Sequence, residues 1–373
     1  MAVHIEKLNI ENFRGICGLA LDNLNHVNIF AGDNNCGKTS VLEALMFLRS
    51  PRDFNNILRI ARIRDENSIY PLSNASLYEN FINFFPRNAD KLAVSISGMF
   101  EGALVPINLT GEQITIMLTP DELFKNHSSA SRKKLIDRYP DGLETVAFKG
   151  ELGYGFGRNY DKKSIEFHAH SKANGLEKIT TQHLNIVYLS PIQHMSGNVF
   201  NKIVGDNQYK EICINVLRLF DPQILDLLYL KNEMTDRPVE YIKHETLGNM
   251  PISTYGDGIK KVLSLASGVA QAKNGALMID ELETAIHAKY YDDIFRFMIK
   301  ACMHFQVQLF VTTHSIEAID KLLATQEYDN QDDDDITVIT FKKEPSSSRT
   351  FSRTLPGRRV HSNREEFGFE VRL

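Results

Sequence analysis

Several absences narrow the field before any motif is considered. The chain of 373 residues has no run of 18 apolar residues, the length a membrane-spanning helix needs, so no membrane partner is expected. Its four cysteines, Cys17, Cys36, Cys213 and Cys302, form no C-x-x-C pair, which suggests neither a zinc site nor a disulfide framework. The first eight residues alternate polar and apolar types instead of joining a basic stretch to an apolar one. A secretory signal is therefore not expected, and the cytoplasm is the expected location. Charge of one sign is also scarce: a net charge of −5 supplies no whole-protein attraction to nucleic acid or anionic lipid, so any such contact has to be local. Internal repeats are missing, and no heptad pattern is sustained between the glycine-rich loop near residue 35 and the glycines near residue 257, so no long coiled-coil arm is expected. With 43% hydrophobic and 24% charged residues, the composition is that of a globular protein with a sizeable core and not of a disordered or collagen-like chain.

What is present is concentrated in one stretch, Val27-Asn28-Ile29-Phe30-Ala31-Gly32-Asp33-Asn34-Asn35-Cys36-Gly37-Lys38-Thr39-Ser40. It fits G-x-x-x-x-G-K-[ST], the phosphate-binding loop. The apolar run before Gly32 reads as a buried strand, and residues 40–48 read as a helix. That strand–loop–helix context is what the chemistry needs. Successive backbone N–H groups and the helix N-terminus form a concave anion site, Lys38 reaches the terminal phosphates, and the Thr39 hydroxyl can hold Mg²⁺.

Residues 3–10 and 16–22 alternate with period two and read as an antiparallel pair leading into the strand at 27–30. Residues 77–84 read as a short helix, and 92–100 and 114–118 as strands of a β-rich region. Arg132-Lys133-Lys134 reads as a solvated basic helix face. Gly153-Tyr154-Gly155-Phe156-Gly157 resembles a second glycine loop, but a strand at 165–170 follows it where a nucleotide loop needs a helix, so a hairpin is expected. His168 and His170 share a strand face; with no third ligand visible, no metal is expected there. Residues 184–189, 224–230, 239–244 and 336–341 read as strands and 209–220 as a helix. The acidic run Asp332–Asp335 reads as a solvated loop, and residues 342–373, eight Lys or Arg against four Glu, as a partly flexible tail.

A second set of motifs supplies what a phosphate loop lacks. Leu277-Met278-Ile279-Asp280-Glu281 is an apolar strand ending in two carboxylates. Asp280 at such a strand end can hold Mg²⁺, and Glu281 is placed to act on an attacking water. Val307 to Val311 is another buried strand, which runs into Thr312-Thr313-His314. Gly256 and Gly258 open a helix with apolar residues at Ile259, Val262, Leu263 and Ala266, and a glycine-opened helix N-terminus is again an anion site.

This order of motifs resembles the ABC-type ATPases, and within them the stand-alone relatives of the RecF, SMC and OLD ATPases common in phage defence. The segment Asn9-Ile10-Glu11-Asn12-Phe13-Arg14-Gly15 is similar to their opening strand, and Gly32 to Ser40 to their phosphate loop. The resemblance covers residues 1–50 and about 250–320. It implies an α/β fold, a P-loop NTPase head with mixed parallel and antiparallel sheets: an ATPase core of residues 1–50 and 250–373, with a β-rich, partly helical lobe of residues 51–249 in the same head. It also implies ATP and Mg²⁺ as cofactors and two heads meeting head to tail around ATP. By position, Gly32, Asn34, Asn35, Gly37, Lys38, Thr39 and Ser40 bind nucleotide, Thr39 and Asp280 the metal, Glu281 serves the water, and His314 meets the γ-phosphate. Gly256 and Gly258 of a second copy complete the site. Two positions depart from the family: glycine stands where its signature has a phosphate-contacting serine, and Ile286-His287 where it has leucine-aspartate. Residues 315–373 are too few for the nuclease module of the OLD branch. The expected function is an ATP-hydrolysing sensor or scaffold controlling a partner effector, a nuclease or toxin, in anti-phage defence. The alternative is a RecF-like repair ATPase whose basic tail and Arg132–Lys134 touch DNA.

Overall fold

Which faces of each strand are buried decides how the chain layers. The computed structural model describes residues 3–66, 76–86, 91–119, 122, 141–171, 182–195, 203–231, 238–328, 334–344, 349–368 and 370–371. Strands β1 (Ile5–Phe13) and β2 (Ile16–Leu21) form the expected opening hairpin. Strand β3 (Val27–Gly32) is buried at all six positions, the pattern of a strand covered on both faces. Helices α1 (Lys38–Met46), α2 (Phe54–Glu66) and α3 (Leu77–Ile82) follow. Strands β4 (Leu92–Phe100), β5 (Ala103–Leu118), β6 (Leu143–Phe156) and β7 (Asn159–His168) then extend the hairpin into a six-stranded antiparallel sheet, ordered β2-β1-β4-β5-β6-β7. The glycine-rich segment 153–157 lies in the β6–β7 hairpin, as expected.

Strand β8 (Ile186–Leu189) and helix α4 (Asn207–Leu217) precede a three-stranded antiparallel sheet of β9 (Ile224–Lys231), β10 (Pro238–His244) and β11 (Gly248–Pro251). Then come α5 (Asp257–Gln271), β12 (Ala276–Ile279), α6 (Tyr291–Phe305), β13 (Gln308–Thr312), α7 (Ile316–Leu323), β14 (Ile336–Lys343), β15 (Thr350–Pro356) and α8 (Gly357–Phe367). The second six-stranded sheet is ordered β15-β14-β3-β13-β12-β8; it is parallel from β14 to β8, and β15 is antiparallel at its edge.

Alternate residues of the parallel strands face two separate apolar clusters, as a period of two requires. Ile29, Leu277, Ile279, Leu309 and Val311 pack with buried residues of α4 to α7. Phe30, Met278, Phe310 and Ile339 pack instead with α1 and the antiparallel sheet. The parallel sheet is thus the middle layer. Its register aligns Ile279 with Val311 and Val311 with Ile29, so the phosphate loop, Asp280 and Thr312 leave the sheet at the same carboxyl edge, where ligands of open α/β sheets bind.

Three readings of the sequence change. The described part of residues 342–373 carries strand β15 and helix α8 where only a partly flexible tail was expected: β15 pairs with β14 over seven residue pairs, and Val360 of α8 is buried in the core. Helix α2 was not anticipated, although its buried Ile57, Leu58, Ile60 and Ala61 have helical spacing. Strand β5 runs on without a break from Ala103, where only residues 114–118 were expected. Arg132–Lys134, Asp332 and Asp333 lie outside the described residues. Among the described residues, no group of three or more His, Cys, Asp or Glu could hold a metal, and no helix is long and apolar enough to cross a membrane.

The carboxylate of Glu43, on the buried side of α1, joins three elements. It meets Arg14 Nε of the first hairpin turn at 2.6 Å, and Arg64 of α2 donates to it from Nε at 2.7 Å and Nη2 at 2.8 Å. The Arg14 guanidinium also lies 4.9 Å from the ring centre of Phe84, a cation–π contact. Removing one partner of a buried ion pair leaves an uncompensated charge. Glu43→Ala should therefore lower the unfolding free energy by about 3–5 kcal/mol in a urea titration, and a loss below about 1 kcal/mol, the range of exposed pairs, would show that the two arginines are solvated without it.

Candidate nucleotide site

The loop after β3 takes its shape from backbone demands only certain residues meet. Gly32 has φ 137°, and a Cβ there would lie 2.4 Å from the Phe341 carbonyl oxygen. Asn35 and Gly37 also have positive φ. Gly37 caps α1 without a side-chain hydrogen bond, and the first turn of α1 has no acidic residue. The first N–H groups of the helix are left to an anion. Lys38 Nζ donates to the carbonyls of Gly32 at 2.7 Å and Asp33 at 2.8 Å, which holds the ammonium over the loop.

Asp280 follows β12 directly and is buried. It accepts from Thr39 Oγ1 at 3.0 and 3.2 Å, from Thr312 Oγ1 at 2.6 Å and from Tyr188 Oη at 3.2 Å. Burial first, then the nearby carboxylates Asp280 and Glu43, push the Tyr188 phenol well above its ordinary range, so it stays protonated and donates. Thr312 Oγ1 in turn accepts from Glu281 N at 2.8 Å. The set is all oxygen, with one carboxylate and hydroxyls beside an anion site. Such a set suits a hard divalent cation that keeps part of its shell for waters and phosphates.

Glu281 has φ 49°, left-handed backbone that a non-glycine residue rarely adopts, and its Oε2 accepts from Thr284 Oγ1 at 3.3 Å. His314, beyond β13, is half exposed, with Nδ1 3.0 Å from Glu283 Oε1. Lys38, Thr39, Asp280, Glu281 and His314 line one cavity of about 310 Å³. A second cavity of about 630 Å³ shares Asn35, Gly37, Ser40 and Arg64 with the first and reaches Arg14 and Phe85. Asn34 and Asn35 line the smaller cavity as well.

The structure thus brings the phosphate loop, Asp280, Glu281 and His314 together. Gly256 and Gly258 do not line either cavity. Gly256 caps α5 with exposed backbone, and a Cβ on it would meet nothing within 4 Å. Sequence reasoning missed Tyr188, Arg64, Glu283 and Lys261. Arg14 stands within the Asn-Phe-Arg-Gly segment and Thr312 at a strand end, and neither position carries a site role in the sequence pattern. Nothing in the local pattern marks Arg64, which donates to Ser40 Oγ at 3.0 Å.

Two family models match the chain: "AAA ATPase domain" over residues 4–195 and "AAA domain, putative AbiEii toxin, Type IV TA system" over residues 125–320. An "ATP/GTP phosphatase" of Helicobacter pylori is 24% identical over 365 residues, covering 88% of this chain and 90% of that protein. The DNA replication and repair protein RecF of Francisella tularensis subsp. novicida is 30% identical over 95 residues, 26% of this chain and 24% of that protein. Among solved structures, the "SmcHead bound to the C-winged helix domain of ScpA" superposes with a TM-score of 0.51 at 14% identity, covering 96% of this chain and 100% of that one. That likeness is one of fold.

Lys261 of α5 is buried facing Glu283, Glu281 and Asp280; burial pushes its ammonium down to about 8, and the three carboxylates oppose that shift. Between about pH 8 and 10.5 the unfolded chain keeps a proton here that the folded chain has released. Stability therefore rises with pH through that window, by at most about 1.4 kcal/mol per unit. Lys261→Met should flatten this rise in urea titrations at pH 8, 9 and 10; an unchanged slope would place the lysine in water.

Proposed function

Given that this chain belongs to the AAA ATPase domain family, as an ABC-type ATPase related to RecF and the SMC heads, we propose that it hydrolyses ATP in a cation-assisted site closed by a second copy of itself. The observation that carries the proposal is the convergence of Lys38, Thr39, Asp280, Glu281 and His314 on one cavity. Loop N–H groups and Lys38 bind the β- and γ-phosphates, with Asn34, Asn35, Gly37 and Ser40 shaping the cradle. Thr39 and Asp280 would hold Mg²⁺, which when bound neutralises phosphate charge. Glu281 orients the attacking water and accepts its proton, and His314 donates to the γ-phosphate. The adjoining cavity receives the nucleoside, between Arg14, Arg64 and Phe85.

Gly256 and Gly258 support a head-to-tail pair. Their uncapped helix end is open to solvent and away from their own chain's cavity, so it is available to the γ-phosphate held by a second copy. Contacts from two chains to one γ-phosphate give the closed pair a higher affinity for ATP than for ADP, which is the condition for a nucleotide-driven switch. In this reading residues 1–50 and 250–373 are the ATPase core, residues 51–249 move with it as one head, and the pair passes its state to an effector, a nuclease or toxin, in anti-phage defence. The Type IV TA system in the description of one matching family model supports an effector partner.

Lys38→Ala should abolish ATP binding in equilibrium titrations. Glu281→Gln should still bind ATP while turnover falls on the order of 100-fold or more, and on size exclusion it should elute as a dimer with ATP and as a monomer without it. Identical elution in both conditions would remove the dimer reading, and unchanged turnover would remove Glu281 from the chemistry.

A further inference from the structure

We infer that Glu283 is a positioning residue for His314, fixing its tautomer so that Nε2 faces the phosphate cavity. The inference rests on the reading of that cavity as a nucleotide site. Glu283 follows the Asp280-Glu281 pair, and its side chain is nine-tenths buried. One oxygen, Oε1, accepts the His314 backbone N–H at 2.9 Å, and ring Nδ1 of the same residue lies 3.0 Å from it as an ion-pair contact. The bond fixes the turn that leaves β13; the contact places the ring against the carboxylate. A carboxylate accepts and does not donate, so Nδ1 must carry a proton. With Nδ1 protonated, the neutral ring presents a lone pair at Nε2, so His314 donates to a phosphoryl oxygen as the doubly protonated ring, a charge-assisted bond stronger than the one a neutral Nε2–H ring would make.

Capping of the turn alone would explain the backbone bond but not the ring contact. A half-exposed histidine without a partner turns freely between rotamers, and its cavity-facing nitrogen would be undefined. The second oxygen of Glu283 is buried without a hydrogen-bond partner among the described residues, and the carboxylate interacts electrostatically with the buried Lys261. Lys261 lies on the helix that Gly256 and Gly258 open, so the carboxylate that holds His314 is electrostatically tied to the element proposed to meet a second copy.

The test uses the full chain with ¹⁵N-labelled histidine, His314 being assigned by the signal lost in His314→Ala. The neutral His314 ring should be protonated at Nδ1 in the wild type and in Glu283→Gln, and should revert to the Nε2-protonated form in Glu283→Ala. Wild-type His314 protonated at Nε2 would overturn the inference without reference to hydrolysis or to how the variants fold. In ATPase assays Glu283→Ala should lower kcat about 10-fold with the nucleotide dissociation constant unchanged, and Glu283→Gln should restore most of it. In the His314→Ala background the same change should alter kcat less than about twofold. Multiplying effects in the double variant would also overturn it. A wild-type chain that hydrolyses neither ATP nor GTP removes the proposed function instead, and leaves the tautomer measurement to decide this inference.

Discussion

The carboxylate of Asp280 is the constraint on which the geometry of the carboxyl edge depends. It collects hydroxyls from three elements: Thr39 at the start of α1, Thr312 at the end of β13 and Tyr188 in β8. Hydrogen bonds to a charged group contribute about 1.5–3 kcal/mol each, but their larger effect is positional. They fix the first turn of the phosphate-loop helix against two strands of the sheet. Thr312 extends the constraint one residue further, because the oxygen that donates to Asp280 accepts the Glu281 N–H. The left-handed backbone of Glu281 is thus held by the same hydroxyl that locks Asp280, and strain at that residue persists because its neighbours determine it.

Buried charge is handled in the same way on both sides of the parallel sheet. Glu43 collects Arg14 and Arg64 on the antiparallel-sheet side, whereas Lys261 faces Glu283, Glu281 and Asp280 on the helical side. A single buried ion among several opposite ones is stable only if every group has a partner of the other sign, since each lone charge in a low dielectric costs several kcal/mol. These two clusters add ionic contacts to elements that already share an apolar core: the first hairpin with α1 and α2, and α5 with the segment after β12.

The parts of this arrangement readable from the sequence are those set by neighbours in the chain. An all-apolar strand, a glycine loop and a lysine-led helix are local, and so are Asp280-Glu281 and His314 at the ends of apolar runs. The ABC-type fold was legible for that reason. Partner choice was not. Glu43 and Arg64 stand 21 residues apart and Tyr188 and Asp280 92 apart, and no pattern of period two or 3.6 links them. Strand β15 hid for another reason: it lies at the sheet edge with mostly polar, exposed residues, and edge strands carry a weak hydrophobic signal. Helix α2 was missed although its spacing was present, because Arg59, Arg62 and Arg64 interleave with the apolar positions.

The residues converging on the cavity fall into two mechanical classes. Asp280, Thr312 and Gly32 are locked by burial, by several hydrogen bonds or by a backbone contact that admits no Cβ. Glu281 and His314 are more exposed, and beyond their backbones each side chain has one hydrogen-bond or ion-pair contact among the described residues: a hydrogen bond from Thr284 to the Glu281 carboxylate, and Glu283 Oε1 3.0 Å from His314 Nδ1. Groups that only bind a constant ligand gain from rigidity. Groups that must act in one state of a nucleotide cycle and stand idle in another gain from a single breakable contact, because a modest difference in interaction energy then shifts their populations. In the proposed cycle the locked class would hold nucleotide and cation throughout, and the loosely held class would respond when a second copy approaches. Regulation would then act on Thr284 and Glu283, and the phosphate loop itself would stay unchanged.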